Sequence, residues 1–272
     1  MNFELSTWRL LNTGFSDGAS NMAVDEAILT AVAEGKSPPT LRFYGWQPPC
    51  VSIGYAQSMR AEIDLQACRR KGYTWVRRPT GGRAVLHIDE LTYSVIAPAD
   101  EPRVSGDILT SYRRLSRGLV EGLSALGCAV CQAEMQDGGK GESAACFDVP
   151  SHYEVTALGH KLVGSAQVRR KGVVLQHGAL PLTGDVSRLA DVLNLDEPER
   201  KTLRAKLLQR AVTLKEAAGY SISFERAVDA LRAGFGRALN LHLEPGSLSD
   251  DERSYVALLR EKYLDDAWMF SK

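Results

Sequence analysis

Three extended runs follow one another in residues 152–182: HYEVTAL, HKLVGSAQV and GVVLQHGALPL. Gly159 separates the first two as a hairpin turn would. Strands joined this closely pair antiparallel, because a parallel neighbour needs a crossover of a dozen or more residues. This block therefore excludes a regular βαβ series. TLRFYGW (40–46), CVSIGY (50–55) and LTYSVIAP (91–98) read as further strands, the first two divided by a turn at Gln47, Pro48 and Pro49. TWVRRPT (74–80) also reads as extended.

Helical periodicity frames these strands. After Asn21, taken as a cap, Val24, Ile28, Leu29 and Val32 recur at helical spacing until Gly35. A short helix is expected over residues 62–71. From Asp107, the residues Ile108, Tyr112, Leu115, Leu119, Leu123 and Leu126 trace one apolar face, stopped by Gly127. Beyond Thr183 the pattern is helical, and Ser249 with Glu252 makes a capping box for a helix toward Tyr263. The expected fold is α/β of the α+β kind: a mixed, largely antiparallel sheet with flanking helices. Residues 1–220 are expected to form the main domain, with residues 221–272 a helical segment packed on it.

Charge and cysteine usage narrow the classes of function. Lys+Arg and Asp+Glu both number 33 in 272 residues, which argues against a salt-driven grip on nucleic acid or an anionic membrane. No apolar run approaches the roughly 20 residues of a membrane helix, and the start lacks a secretion signal, so a cytoplasmic protein is expected. The cysteines, Cys50, Cys68, Cys128, Cys131 and Cys146, are odd in number and scattered, unlike a disulfide framework. Cys128 and Cys131 form a C-x-x-C with no second pair, and read as small apolar side chains opening a strand. No metal is expected.

Three stretches carry possible chemistry. In GESAACFDVPSHYEV (141–155), Cys146 stands where alanine or valine would have packed, after the small, polar QDGGKGESAA (136–145), which reads as a mobile loop and candidate lid. In RRPTGGRAVLH (77–87), Thr80, Gly81 and Gly82 let backbone approach a ligand, and Arg77, Arg78 and Arg83 add positive charge suited to an anionic or carbonyl group. It is neither a Walker loop nor a dinucleotide fingerprint; the plain alternative is a glycine turn. In GHKLVGSAQVRRKG (159–172), Lys161 begins the returning strand, and Gly164, Ser165 and Ala166 leave space beside it. A lysine ammonium near a cysteine lowers the thiol pKa from about 8.5 and favours the nucleophilic thiolate. The plain alternative is a solvated hairpin charge. Any of His87, His152, His160 and His177 could serve Cys146 as base; His87 is of most interest, because it ends the glycine stretch.

VRRPTGGRAVLH, then ELTYSV, GHKLVGSAQ and VLQHGALPL, in this order and spacing, resemble the biotin and lipoate protein ligase superfamily, from about Trp8 to Leu182 and more loosely beyond. Within it, ACFDVPSHYEV is similar to the cysteine-dependent octanoyltransferases. Arg83 stands where the ligases carry a third glycine, which puts a tight adenylate-binding loop in doubt. The resemblance implies transfer of octanoyl from octanoyl-acyl carrier protein, through a thioester on Cys146, to a lysine of a lipoyl domain such as the glycine cleavage H protein. It implies Cys146 and Lys161 as catalytic residues. Arg78, Thr80, Gly81, Gly82, His87, Gly164 and Ser165 are implied to bind substrate. No cofactor is implied, and a monomer is expected. Arg77, Arg78, Arg83 and the run Arg169 to Lys171 are candidate docking charges for acidic partners. Alternatives are an ATP-dependent lipoate ligase, an amidotransferase drawing on octanoylated H protein, and a noncatalytic acyl-carrier-binding module.

Overall fold

In a computed structural model, residues 3–133, 145 and 154–272 are described; Cys146 and His152 lie outside them. Strand β1 (Ser6–Ser16), helix α1 (Gly18–Ala33) and strand β2 (Thr40–Trp46) form a parallel crossover. The cap of α1 is Asp17, whose carboxylate accepts from Ser20 N, and not Asn21. The Asn21 amide is turned inward, donating to the carbonyls of Ser16 and Gly45.

A smaller sheet follows. Strand β3 (Cys50–Ile53) is its centre, with β4 (Thr74–Arg77) parallel on one side and β5 (Val85–His87) antiparallel on the other. The helix expected over residues 62–71 is two short pieces, α2 (Met59–Glu62) and α3 (Leu65–Arg70). They break where Asp64 takes extended backbone and caps α3 by accepting from Gln66 N and Ala67 N.

The chain then returns to the large sheet with β6 (Glu90–Pro98), antiparallel to β2. After α4 (Ile108–Ser124) come β7 (Val130–Ala133), β8 (Glu154–Ala157), β9 (His160–Arg170) and β10 (Val173–Pro181). The first two runs, read as a hairpin at Gly159, form one, and the second and third form another. Leu158 with Gly159, and Lys171 with Gly172, fill two-residue loops with positive φ at both positions, the turn whose twist suits paired strands. The remainder comprises a 3-10 turn (Val186–Val192), α5 (Glu197–Arg210), α6 (Leu214–Ala218), α7 (Phe224–Leu239), β11 (Leu241–Pro245), α8 (Asp250–Leu264) and α9 (Asp266–Met269).

The large sheet has the order β11-β1-β2-β6-β10-β9-β8-β7, parallel across β11-β1-β2 and antiparallel beyond. The C-terminal part is thus helical except for β11, which short periodicity did not announce because only Leu241 in it is buried. Helices α4 and α7 cover one face of the sheet. Leu115, Leu119 and Leu123 of α4 pack with Leu231 and Phe235 of α7 and with Phe43, Leu91 and Tyr93 of the sheet. Burying each such side chain contributes about 1.5–3 kcal/mol. Ile108, expected on that face, is half exposed at the first turn of α4, whereas Leu126 is buried beyond its end. A second apolar cluster joins the small sheet to α1 and to Tyr263 and Met269 near the C-terminus.

Candidate active site

The large and small sheets meet over a cleft of about 370 Å3, including its open mouth. Arg78, His87, Gly164 and Ser165, four of the residues expected to bind substrate, line it together with Trp46, Ser52, Val85, Ala166, His177 and Ala179. Strand register explains the meeting. On β9 and β10, Gly164 pairs with Ala179 and Ala166 with His177, so small side chains and one imidazole share a patch of sheet. Gly178 is required there: a Cβ on it would lie 2.4 Å from Ser165 Oγ and 2.6 Å from the Tyr93 ring.

Arg78 is almost fully buried and acts as a local organiser. Its guanidinium donates to Gly81 O at 2.8 Å, Arg83 O at 2.7 Å, and both the carbonyl and the hydroxyl of Ser52 at 3.1 Å. The glycine turn is therefore held from inside. Gly82 has φ +90°, and its carbonyl lies where a Cβ on Gly54 would collide at 2.1 Å. Gly81 and Gly82 are exposed at this turn, outside the cleft lining, and Thr80 reaches the cleft through His177.

Among the described residues, two imidazoles enter the cleft, and donor-only groups fix the hydrogens around them. Arg78 donates to Ser52 Oγ, so the Ser52 hydroxyl is free to donate to His87 Nε2, 2.8 Å away, and His87 Nδ1–H then donates to Glu90 Oε1 at 3.3 Å. Trp46 stacks on this imidazole at 3.9 Å, with ring planes 13° apart. The Trp46 indole N–H donates to Thr92 Oγ1, which in turn donates to Glu90 Oε1 at 2.6 Å.

His177 has a parallel arrangement that sequence reasoning left undistinguished. Its Nε2 lies 2.7 Å from Thr80 Oγ1 and its Nδ1 3.3 Å from Asp25 Oδ2. Burial pushes the imidazole pKa down despite Asp25, so His177 is neutral, donating to Asp25 and accepting from Thr80. Asp25 is fully buried. Burial alone would raise its pKa, but the Arg42 charge and the His177 hydrogen bond outweigh it and keep the carboxyl below its ordinary value. Tyr44 and Ser94 donate to it as well. Asp25 carried no motif in the sequence; its signal was a charge at a helix position that packs on a sheet.

Lys161 lies on β9 three residues before Gly164, buried, with Thr156 as its partner on β8 at a shift in register. It is not in the cleft lining. Ala145 is fully buried and bridges Ala84 in parallel, beside Val85 of the cleft. Cys146 is the next residue in the chain.

Three of the docking charges are corrected. Arg77 and Arg78 are buried, with carbonyl oxygens as their partners, and are not available to an acidic surface. Arg169 is also engaged, donating to Val104 O at 2.9 Å and Asp107 O at 3.2 Å. Arg170 and Lys171 remain exposed at the hairpin tip. The C-x-x-C is split in character: Cys128 is buried, whereas Cys131 is exposed with its sulfur 3.2 Å from Thr156 Oγ1.

Residues 17–236 match the lipoyl protein ligase A/B catalytic domain. The chain belongs to that family. Octanoyltransferase LipM of Kyrpidia tusciae is 48% identical over 98% of this chain and 100% of its own length. Octanoyltransferase LipM of Staphylococcus aureus is 41% identical over 98% and 99%. Among solved structures, a bipartite lipoate protein ligase from Thermoplasma acidophilum superposes with TM-score 0.81 at 28% identity, covering 97% of this chain and 96% of that one. A lipoate-protein ligase A bound with ATP gives 0.80 at 27% identity, covering 97% and 99%. The mixed sheet with flanking helices is thus the fold of these lipoate ligases, and the likeness to the octanoyltransferases extends through the C-terminal helices. Among the described residues, no helix is long and apolar enough to cross a membrane, and no cluster of His, Cys, Asp and Glu could hold a metal ion.

Proposed function

We propose that this chain is an octanoyltransferase that moves an octanoyl group from octanoyl-acyl carrier protein to a lysine of a lipoyl domain, such as the glycine cleavage H protein, through a thioester on Cys146. The observation that carries the cysteine assignment is the Ala145–Ala84 bridge, because it holds the residue before Cys146 beside the cleft. In the first step the Cys146 thiolate attacks the donor carbonyl; a C–S bond to Cys146 forms, the donor C–S bond breaks, and the carrier sulfur leaves and takes up the proton that the Cys146 thiol gave. In the second, the neutral acceptor amine attacks the same carbon; a C–N bond forms, the C–S bond breaks, and the proton the nitrogen gives up returns the departing Cys146 sulfur to the thiol. One thioester replaces another, so ATP is not needed, and formation of the amide drives the sequence. Lys161 assists by favouring thiolate and polarising the carbonyl.

The cleft suits an acyl chain. Met22, Val85, Ala166 and Ala179 supply apolar wall, and each buried methylene gains about 0.8 kcal/mol. Arg78, Thr80 and His87 shape the polar end, Gly81 and Gly82 form the turn that Arg78 holds behind it, and Gly164 with Ser165 make the floor. With Arg77 and Arg78 buried, contact with an acidic carrier falls to Arg83, Arg170 and Lys171. The enzyme acts as a cytoplasmic monomer in this reading.

Intact mass spectrometry of wild type and Cys146→Ala, incubated with octanoyl-acyl carrier protein and no ATP, tests the proposal. A hydroxylamine-labile octanoyl adduct on wild type alone is expected. The likeness to a ligase bound with ATP favours one alternative, ATP-dependent ligation of free lipoate. Modification of a lipoyl domain that requires ATP and survives Cys146→Ala would replace our reading with that one.

A further inference from the structure

Glu90 is an unusual carboxylate. Its Oε1 accepts from Thr92 and from His87, while Oε2 is buried and, among the described residues, receives no hydrogen bond. The contrast with Asp25 is direct, since both oxygens of Asp25 are satisfied by Arg42, Ser94, Tyr44 and His177. A buried acceptor left open is unfavourable, so the fold forgoes stability at this atom.

Glu90 also borders a second cavity. This space of about 510 Å3, including its mouth, lies behind β5, walled by Leu86, Ile88, Pro181 and Leu189 with Thr183 and Asp185 at its edge. Thr183 and Asp185 are exposed, so the cavity opens to solvent. Val85 and Ala179 border both cavities. A continuous path thus runs from the cleft through Ser52 Oγ, His87 Nε2, His87 Nδ1 and Glu90 to a solvent-connected space.

The proposed reaction needs such a path in only one of its steps. Thioester exchange between the carrier thiol and Cys146 is proton-neutral overall. The amide step is not: an alkylammonium and an octanoyl thioester become an amide, a thiol and one released proton. We infer that Ser52, His87 and Glu90 form the relay that takes this proton from the acceptor lysine and passes it to solvent through the second cavity. The inference rests on the function proposed above. Ser52 and His87 line the cleft, whereas Glu90 acts through His87 as a positioning residue. As Ser52 Oγ accepts the amine proton, its own proton moves to His87 Nε2, and the Nδ1 proton moves to Glu90. Loss to solvent and return of the imidazole to its starting tautomer complete the cycle.

Among the described residues, the charged and titratable groups around the pair are Tyr44 on β2, Arg78 after β4, His177 on β10, and Asp89, Asp185 and Arg188 near the second cavity. None of them hydrogen-bonds to Glu90 Oε2.

The test separates the half-reactions of full-length Glu90→Gln. Octanoyl-enzyme formation, read by intact mass, should stay within about 2-fold of wild type, which also reports folding. Transfer from isolated octanoyl-enzyme to a lipoyl-domain protein should fall about 100-fold at pH 7. That gap should narrow toward pH 10, where a lysine with pKa about 10.4 is neutral in roughly 30% of molecules, against about 0.04% at pH 7. Cleavage of the octanoyl-enzyme by hydroxylamine, uncharged at neutral pH, should be unchanged. Equal losses in both half-reactions, a deficit undiminished at pH 10, or slowed hydroxylamine cleavage would make Glu90 structural and overturn the relay. Unimpaired transfer to the lipoyl domain at pH 7 would overturn it too. Failure of wild type to form octanoyl-enzyme would instead sink the function on which the relay rests.

Discussion

Arg42 Nη1 donates to Asp25 Oδ1 at 2.7 Å, and neither side chain is more than 1% exposed. The pair ties β2 to α1 directly beneath His177. Removing one member of such a pair strands the other charge, so Asp25→Ala should lower stability by about 3–5 kcal/mol, read as a urea midpoint at pH 7. The pH dependence follows from the depressed pKa. A carboxylate whose folded pKa lies below the unfolded value of about 3.9 contributes stability above that value and loses it as pH falls through the folded pKa. Wild type should therefore lose more stability than Asp25→Asn when pH is lowered from 5 toward 2. Parallel acid titrations would show that the pair is not the source.

The thiols should divide sharply in reactivity. Burial pushes the Cys50 thiol up to about 12 and Cys68 up to about 11, so neither forms appreciable thiolate at pH 8. Cys131 is exposed. Iodoacetamide on native protein at pH 8, followed by peptide mass mapping, should alkylate Cys131 and spare Cys50 and Cys68 until urea is added. In Cys131→Ser, rapid labelling should fall on Cys146 and be blocked by prior octanoylation. Fast native labelling of Cys50 would contradict the packing of that thiol against Gly18.

Much of the fold was legible because period and turn chemistry agreed locally. The hairpins at Gly159 and the capping box at Ser249 depend on contacts within a few residues, and both stand as read. Asp17 was missed as a cap because Asn21, an equally good cap by type, is spent on β2 and on the Ser16 carbonyl. The site was legible in part. Motif spacing brought together Arg78, His87, Gly164 and Ser165, yet Ser52 joins them only through the pairing of β3 with β5, and Asp25 only through the packing of α1 on the sheet beside His177. The arginines mislead for the same reason: a charge reads as surface unless the carbonyls that surround it are known.

Gly54→Ala tests how firmly the glycine turn is seated. The new Cβ would meet the Gly82 carbonyl at 2.1 Å, and backbone must move. Overpacking of this kind costs about 1–3 kcal/mol. Because Arg78 holds both this turn and Ser52, the displacement should reach the cleft. Octanoyl-enzyme formation should slow at least about 10-fold in protein that still melts cooperatively. Gly81→Ala, whose Cβ meets nothing within 4 Å, should be nearly silent by comparison. Equal rates for the two variants would refute a seated turn.

Arg77 gives the C-terminus a role in the same turn. Its buried guanidinium donates to Gly54 O, Tyr55 O and Gln57 O on one side and to Trp268 O and Met269 O on the other. The Trp268 indole N–H donates back to Arg77 O at 3.0 Å, and its ring packs against Tyr55 and Tyr263. The segment 54–57 that touches the glycine turn is therefore clasped to α9 by one side chain. Arg77→Met keeps most of the volume but strands these carbonyls; with hydrogen bonds to a charged group contributing about 1.5–3 kcal/mol each, even two of them imply a loss above about 3 kcal/mol. Truncation after Leu264 removes the other half of the clasp and should destabilise similarly. The double change should then cost little more than either alone, because both delete one shared interaction. Thermal melts of the two single variants and the double measure that coupling, and strict additivity would mean that Arg77 and α9 stabilise the protein independently.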